Sequence, residues 1–249
     1  MPQPNRMVWP LLGLISIAFH LWLIFSGLIP NLVSRPLHMA LALPWALIFI
    51  ARTPAEKASG ALLTAIGLGC TLWIAWNQSA LGDQYGSLTG GLQIAIAITL
   101  LAIVLEMARR TIGWPLPLVA TAMLGYGLWG EHVPGEFGFA GLPLESFLGT
   151  LTIAEGGIWG ALTGVSVNIV AVFVIFGAVL NAGEAGQGFM NVAAAAAGRL
   201  RGGAAKVSVI SSALFGSISG SASANVASTG AVTLPAMIRL GYPRALAGA

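Results

Sequence analysis

Serine, threonine, asparagine and glycine crowd one stretch of this chain, Gly216 to Thr229, "GSISGSASANVAST". Its flanks, "KVSVISSALF" and "GAVTLPAMI", are mostly apolar. Such side chains carry no strong acid or base, but they ligate. A hydroxyl both donates and accepts, and an amide does the same through separate atoms. The candidate ion ligands are Ser217, Ser219, Gly220 and Asn225. The candidate contacts for an anionic substrate are Ser221, Ser223, Asn225, Ser228 and Thr229. Gly216 and Gly220 allow the backbone to turn.

Other chemistries are excluded by what the chain lacks. The three histidines, His20, His38 and His132, are scattered, and Cys70 is the only cysteine. An internal disulfide is therefore impossible, and no Cys/His metal spacing exists. No nucleophile–base set and no phosphate-binding glycine loop appears. We expect no cofactor, and no metal beyond a possible Na⁺. An intramembrane enzyme needs a catalytic base near the hydroxyls, and none lies close in sequence.

The elements that position these residues must live in lipid. Hydrophobic residues make up 57% of the chain and charged residues 8%, and mean hydropathy is +0.87. A soluble domain carries about 25% charged residues. The composition predicts an all-α polytopic membrane protein. A net charge of +3 gives no reason to expect a nucleic-acid surface.

Apolar runs separated by Pro, Gly and charge predict about six transmembrane helices, near 8–29, 37–51, 58–78, 90–108, 112–130 and 158–181. "PNLVSRP" reads as a turn and Pro54 as a breaker. Pro115 and Pro117 fall in the first turns of the fifth helix, where a missing N–H costs little. Segment 131–157 reads as loop with a short interfacial or re-entrant piece. "GEAGQGFMNVAAAAAGRLRGG" reads as a surface-lying helix. The first run is too long for a signal peptide and reads as a retained helix.

Charge placement tests this layout. Arg6, Arg52, Lys57, Arg109, Arg110, Arg199, Arg201 and Lys206 all fall on one side, and only Arg35 falls opposite. By the positive-inside rule that side, with the N-terminus, is cytoplasmic. The other side holds Asp83, Glu131, Glu136, Glu145 and Glu155.

After Lys206 two short apolar runs, 204–218 and 226–238, are bracketed by positive charge. They predict a re-entrant helical hairpin over about 204–239 with the small-polar stretch at its tip. Irregular backbone at membrane depth is tolerated only inside protein or beside a water-filled cavity. One half-helix would end at the tip with free carbonyls and the other would begin there with free N–H groups. Asn225 and Ser228 are candidate N-caps or ligands for the second half. The competing reading is packing, since Gly216 and Gly220 form a small-xxx-small pair.

Remaining polar residues have ordinary expectations. Glu106 should pair with Arg109 and Arg110 at i,i+3 and i,i+4. Asn168 should make an interhelical hydrogen bond, and His20 should serve packing. Glu155 should be a solvated interfacial carboxylate.

The stretch "GRLRGGAAKVSVISSALFGSISGSASANVASTGAVTLPAMIRLGYPRALAGA" resembles the large-subunit permease of tripartite ATP-independent periplasmic (TRAP) transporters. The preceding "LTIAEGGIWGALTGVSVNIVAVFVIFGAVLNAGEAGQGFMNVAAAAAG" resembles the fused permeases of the TAXI subgroup. The resemblance is specific over 148–249, while only topology supports it over 1–147. It implies a multi-pass protein of the bacterial inner membrane that imports organic acids, is coupled to sodium and works by an elevator motion. A periplasmic substrate-binding protein would deliver the substrate. Residues 1–147 would be a small-subunit-like scaffold, and 148–249 the start of the transport region. Ser217–Thr229 would match the family's first hairpin tip. The family pattern has a second inverted half with its own hairpin, so the chain reads as the first half of an elevator-type transporter. The other reading is a non-catalytic membrane scaffold or anchor subunit.

Overall fold

The computed structural model describes residues 7–154, 156–183, 185–219 and 222–248. Among these residues the structure is helical and contains no strand. It divides into two compact units, residues 1–167 and 168–249.

In the first unit α1 is Val8–Phe25, and α2 is Asn31–Pro44, which runs on as a π-turn over Trp45–Phe49. Next come α3, Pro54–Trp76, and the short α4, Gln78–Gly82. They are followed by α5, Gly90–Ile112, α6, Pro115–Trp129, α7, Leu144–Thr152, and α8, Ala161–Val165. A second π-turn, Ser166–Val170, follows α8. Four candidate membrane spans start in this unit and end within it: 8–25, 31–49, 54–76 and 90–112. A fifth, 161–179, passes through the division between the units. The expected fifth crossing, 112–130, is α6 with only 15 residues. At 1.5 Å per residue that covers about 22 Å, short of a ~30 Å hydrocarbon core.

The expected turn "PNLVSRP" is instead the start of α2. Pro30 stands at the N-cap in extended geometry, and the helix begins at Asn31. Ser34 Oγ donates back to the Pro30 carbonyl at 3.2 Å. Pro36 lies inside the helix and is buried. The opening of α3 is a capping box. Glu56 N–H donates to Thr53 Oγ1 at 3.1 Å, while Glu56 Oε2 accepts from Thr53 N–H at 3.3 Å. Pro54, read as a breaker, is the first helical residue, where its missing N–H is harmless.

The core of this unit is Leu43, Leu47, Ile74, Leu100, Ile103, Leu148 and Trp159. It forms where α2, α3, α5 and α7 meet. Gly67 makes this approach possible, because a Cβ there would stand 2.8 Å from Leu43 Cδ1 and 3.3 Å from Ile103 Cδ1. Outward faces carry Leu62, Leu72, Leu92, Ile98, Leu118 and Met123, all exposed. Apolar outward faces suit a lipid solvent. The segment expected as loop with a short interfacial piece holds two single 3₁₀ turns and α7.

In the second unit α9 is Ala171–Ala182, α10 Ala185–Ala197 and α11 Gly203–Ser219. Then come α12, Ala222–Arg239, and the terminal turn of helix α13, Arg244–Gly248. Helix α10, expected as surface-lying, packs on α11 through Ala193, Ala197 and Val207, flanked by Met190 and Ile210. Gly202, at φ +67°, turns the chain between them. A Cβ on Gly202 would lie 3.8 Å from Tyr242 Oη. The residues just past α12 thus return to the start of α11.

Candidate functional site

Helices α11 and α12 pack against each other as an antiparallel hairpin. Their shared seam is polar. Ser208 Oγ donates to Thr233 Oγ1 at 3.1 Å near the open end. Nearer the tip, Asn225 Nδ2 donates to the Ser212 carbonyl at 3.0 Å, and Ser212 Oγ donates to Asn225 Oδ1 at 3.4 Å. Closer still, a Cβ on Gly216 would stand 3.0 Å from Asn225 Nδ2. Each step of four along Ser208, Ser212 and Gly216 answers a step of four back along Thr233, Thr229 and Asn225. Residues four apart share one helix face, so these two rows are the facing surfaces.

The tip differs from expectation in its backbone. Helix α11 runs to Ser219 and α12 begins at Ala222, so most of the small-polar stretch is helical. The reason is local. Ser217 Oγ donates to the Leu214 carbonyl at 2.7 Å and Thr229 Oγ1 to the Asn225 carbonyl at 2.7 Å. A hydroxyl that bonds its own preceding turn needs no break in the helix. The arms are 17 and 18 residues, or about 26 and 27 Å at helical rise.

The predicted site residues therefore separate. Ser219 is the last residue of α11, where unpaired carbonyls gather. Gly220 and Ser221 lie outside the described residues. Ser223 stands in the first turn of α12. Asn225 and Ser228 are not N-caps, because both lie inside α12. Asn225 instead ties the two arms together. Thr229 is buried. Ser208, Ser212 and Thr233 were absent from the sequence-derived set, yet they complete the seam. Their fourfold spacing was the available signal.

A second polar chain crosses the first unit. His20 Nδ1 lies 2.7 Å from the Ser16 carbonyl, His20 Nε2 lies 2.8 Å from His38 Nδ1, and His38 Nε2 lies 3.0 Å from Ser166 Oγ. A carbonyl only accepts, so His20 carries its proton on Nδ1. With both rings neutral, His38 Nδ1–H then donates to His20 Nε2, and the Ser166 hydroxyl donates to His38 Nε2. The chain joins α1, α2 and the 166–170 turn. His20 is the one buried residue of α1, and Trp9 packs on Trp45 and Phe49 at 5.1 and 4.9 Å between ring centroids. His20 thus serves packing, as expected, but through a hydrogen-bonded pair.

Arg35 donates from Nη1 to the carbonyls of Trp159 and Gly160. Gly164 leaves room for it, since a Cβ there would sit 2.9 Å from Arg35 Nη2. Glu106 pairs with Arg109 at 2.6 Å and with Arg110 at 2.6 Å, as its spacing predicts. Asn168 is exposed within the 166–170 π-turn and makes no interhelical hydrogen bond among the described residues. The wider π-turn holds it outward. Glu155 lies outside the described residues. Among the described residues no group of three or more His, Cys, Asp or Glu could hold a metal ion.

Among the described residues five helices are long and apolar enough to cross a membrane, and the fold is that of a multi-pass α-helical membrane protein. Residues 99–249 match the family described as "Tripartite ATP-independent periplasmic transporter, DctM component", and the chain belongs to that family. It is similar to the C4-dicarboxylate TRAP transporter large permease protein DctM of Pseudomonas aeruginosa, 37% identical over 73 residues, 29% of this chain and 17% of that protein. It is likewise similar to the protein of that name in Rhodobacter capsulatus, 39% identical over 72 residues, 29% of this chain and 16% of that protein. A third relative is the uncharacterized protein y4mL of Sinorhizobium fredii, 39% identical over 77 residues, 31% of this chain and 18% of that protein. Each match spans less than a fifth of the relative's length. No solved structure matches the chain.

Proposed function

We propose that this chain forms part of the permease of a secondary TRAP transporter that imports organic carboxylates. A periplasmic binding protein delivers them, and a sodium gradient drives the import. The observation that carries this reading is the α11–α12 hairpin, in which α11 ends at Ser219 and α12 begins at Ala222. The C-terminal end of one arm offers partial negative charge to a cation, and the N-terminal end of the other offers partial positive charge to a carboxylate. Ser217, Ser219, Gly220 and Asn225 are the proposed ion side. Ser221, Ser223, Asn225, Ser228 and Thr229 are the proposed substrate side. Membership in the permease family supports transport rather than catalysis. In this reading residues 1–147 are scaffold, 148–249 open a transport region that moves as an elevator, and the N-terminus is cytoplasmic in an inner membrane. The TAXI resemblance extends the reading to a permease with its small subunit fused.

The test is uptake of a labelled dicarboxylate into proteoliposomes holding the transporter that contains this chain, with its binding protein and an inward sodium gradient. Uptake should require both. Ser219→Ala should raise the sodium concentration for half-maximal uptake by roughly 5-fold or more, the effect of a lost ligand in a dehydrated site. Ser211→Ala should leave it unchanged, because Ser211 Oγ bonds its own helix at the Ser208 carbonyl, 3.1 Å away. Carboxylate uptake indifferent to sodium would remove the ion assignment. No uptake with binding protein present would return the chain to a scaffold role.

A further inference from the structure

We propose that a cavity at one end of the first unit binds the phosphate group of an anionic phospholipid. The cavity is about 470 Å³ and lies between residues 50–52, the start of α3, the end of α5 and Trp114. Three arginines line it, Arg52, Arg109 and Arg110, against one carboxylate, Glu56. That carboxylate is already engaged, accepting from the backbone N–H groups of Arg52 at 2.8 Å and Thr53 at 3.3 Å.

The arginines divide by role. Arg110 is structural. It donates to Glu106 at 2.6 Å, to the carbonyls of Leu47 and Glu56 at 2.7 and 2.8 Å, and to Ser59 Oγ at 3.0 Å. Arg109 is fixed but not used up. Its Nε and Nη2 hold Glu106 at 2.6 and 2.7 Å, and its guanidinium stacks 5.3 Å from the Trp114 ring centroid. Its Nη1 has no partner among the described residues. Arg52 is exposed and pairs with no carboxylate among the described residues. Two guanidinium groups therefore face the cavity with donors to spare, and a phosphate oxygen is a good match for such a fork.

Position chooses the source of the phosphate. The candidate spans 31–49 and 90–112 end here and 54–76 begins here, so the cavity sits at headgroup depth. Its rim continues into exposed Phe49, Ile50, Ile112 and Trp114. A free anion has no use for an apolar rim, whereas a phospholipid lays its acyl chains on one. Basic pockets beside span ends suit anionic headgroups, and tryptophan belongs at that level.

The test is native mass spectrometry of the full transporter chain in detergent. The probes are phosphatidylglycerol, phosphatidylcholine with the same acyl chains, and inorganic phosphate. Phosphatidylglycerol should be retained about 10-fold over phosphatidylcholine, and millimolar phosphate should not displace it. Arg52→Gln with Arg109→Gln should bring retention down to the phosphatidylcholine level, while Arg244→Gln, outside the cavity, should not. If the double variant fails to fold, Arg52→Gln alone should lower the preference several-fold, because that side chain is exposed and holds no hydrogen bond or ion pair among the described residues. Equal retention of the two lipids would overturn the proposal. So would unchanged preference in the arginine variants, or occupancy by inorganic phosphate without lipid preference.

Discussion

Asn225 on α12 and Ser212 on α11 clasp each other twice. The amide nitrogen donates to the Ser212 carbonyl at 3.0 Å, and the Ser212 hydroxyl donates to the amide oxygen at 3.4 Å. On α11 the clasp uses both the carbonyl and the hydroxyl of Ser212, and on α12 a single amide side chain. Gly216 makes space for it, one turn beyond Ser212. The hairpin arms are thereby held together near their tip by one side chain.

Asn225→Ala should therefore destabilise the hairpin by about 1–3 kcal/mol, the cost of stranding a partly buried partner. Ser212→Ala should cost far less, because its carbonyl and the shorter bond remain. Gly216→Ala should fall between, since the new Cβ would press on Asn225 Nδ2 at 3.0 Å. Thermal melting of each variant in one detergent ranks them. Equal losses in Ser212→Ala and Asn225→Ala would mean that the longer hydroxyl contact carries the clasp.

Much of this architecture is legible in the residues. Apolar runs broken by Pro, Gly and charge locate the spans, because lipid demands about 20 apolar residues per crossing. The departures have physical causes. "PNLVSRP" suggests a turn because proline breaks most helix interiors, yet Pro30 stands at the N-cap and Pro36 sits inside the helix. The small-polar stretch suggests irregular backbone because hydroxyls compete for main-chain groups, yet Ser217 and Thr229 bond the preceding turn of their own helix. His20 and His38 stand 18 residues apart, and only the antiparallel packing of α1 on α2 brings the rings together. Spacing along the chain carries no record of that contact. The Ser208 and Asn225 rows were visible as fourfold spacing, but which helix faced which was not.

His20→Phe should loosen α1 while keeping its bulk. The His20–His38 bond at 2.8 Å is lost, and the His38 ring is left with Ser166 alone. A buried donor without its acceptor costs about 1–3 kcal/mol. Double cysteine cross-linking between positions 9 and 45, whose tryptophan rings pack at 5.1 Å, on a Cys70→Ala background, reads the attachment of α1. Cross-linking yield should drop in His20→Phe and in His38→Phe alike, and the double variant should be little worse than either. Additive losses would show that the two rings act separately.

Gly60 and Gly69 both lie in α3 and should respond oppositely to alanine. A Cβ at Gly60 would stand 2.0 Å from the Leu47 carbonyl oxygen and 2.9 Å from Arg110 Nη1. Leu47 belongs to the π-turn that follows Pro44, and its carbonyl is the acceptor for Arg110. Backbone cannot step aside cheaply there, so Gly60→Ala should cost roughly 1–3 kcal/mol, as overpacking does. Gly69 has nothing within 4 Å. Gly69→Ala should be neutral or stabilising by up to about 1 kcal/mol, the helix preference of alanine. Melting temperatures of the two variants check the pair. Similar shifts in both would show that α3 is free to move away from the 45–49 turn.

Charge placement sets the sidedness of the chain. Arg52, Lys57, Arg109 and Arg110 gather at one end of the first unit's spans, while Glu131, Glu136 and Glu145 sit in a connection without Lys or Arg. The basic end should face the cytoplasm, and so should the Arg199–Lys206 segment. Arg35 breaks the charge pattern, but its Nη1 donates to the carbonyls of Trp159 and Gly160, so the fold supplies acceptors for that nitrogen. The readout is labelling of single cysteines in intact cells by a membrane-impermeant maleimide, again on a Cys70→Ala background. Gly203 is a poor site, since a Cβ there would lie 2.4 Å from the Gly198 carbonyl oxygen. Arg201 and Glu136 are exposed and suit the purpose. Glu136→Cys should label from outside, and Arg201→Cys only after the membrane is permeabilised. Labelling of Arg201→Cys in intact cells would reverse the orientation. It would also place the open end of the α11–α12 hairpin on the periplasmic side.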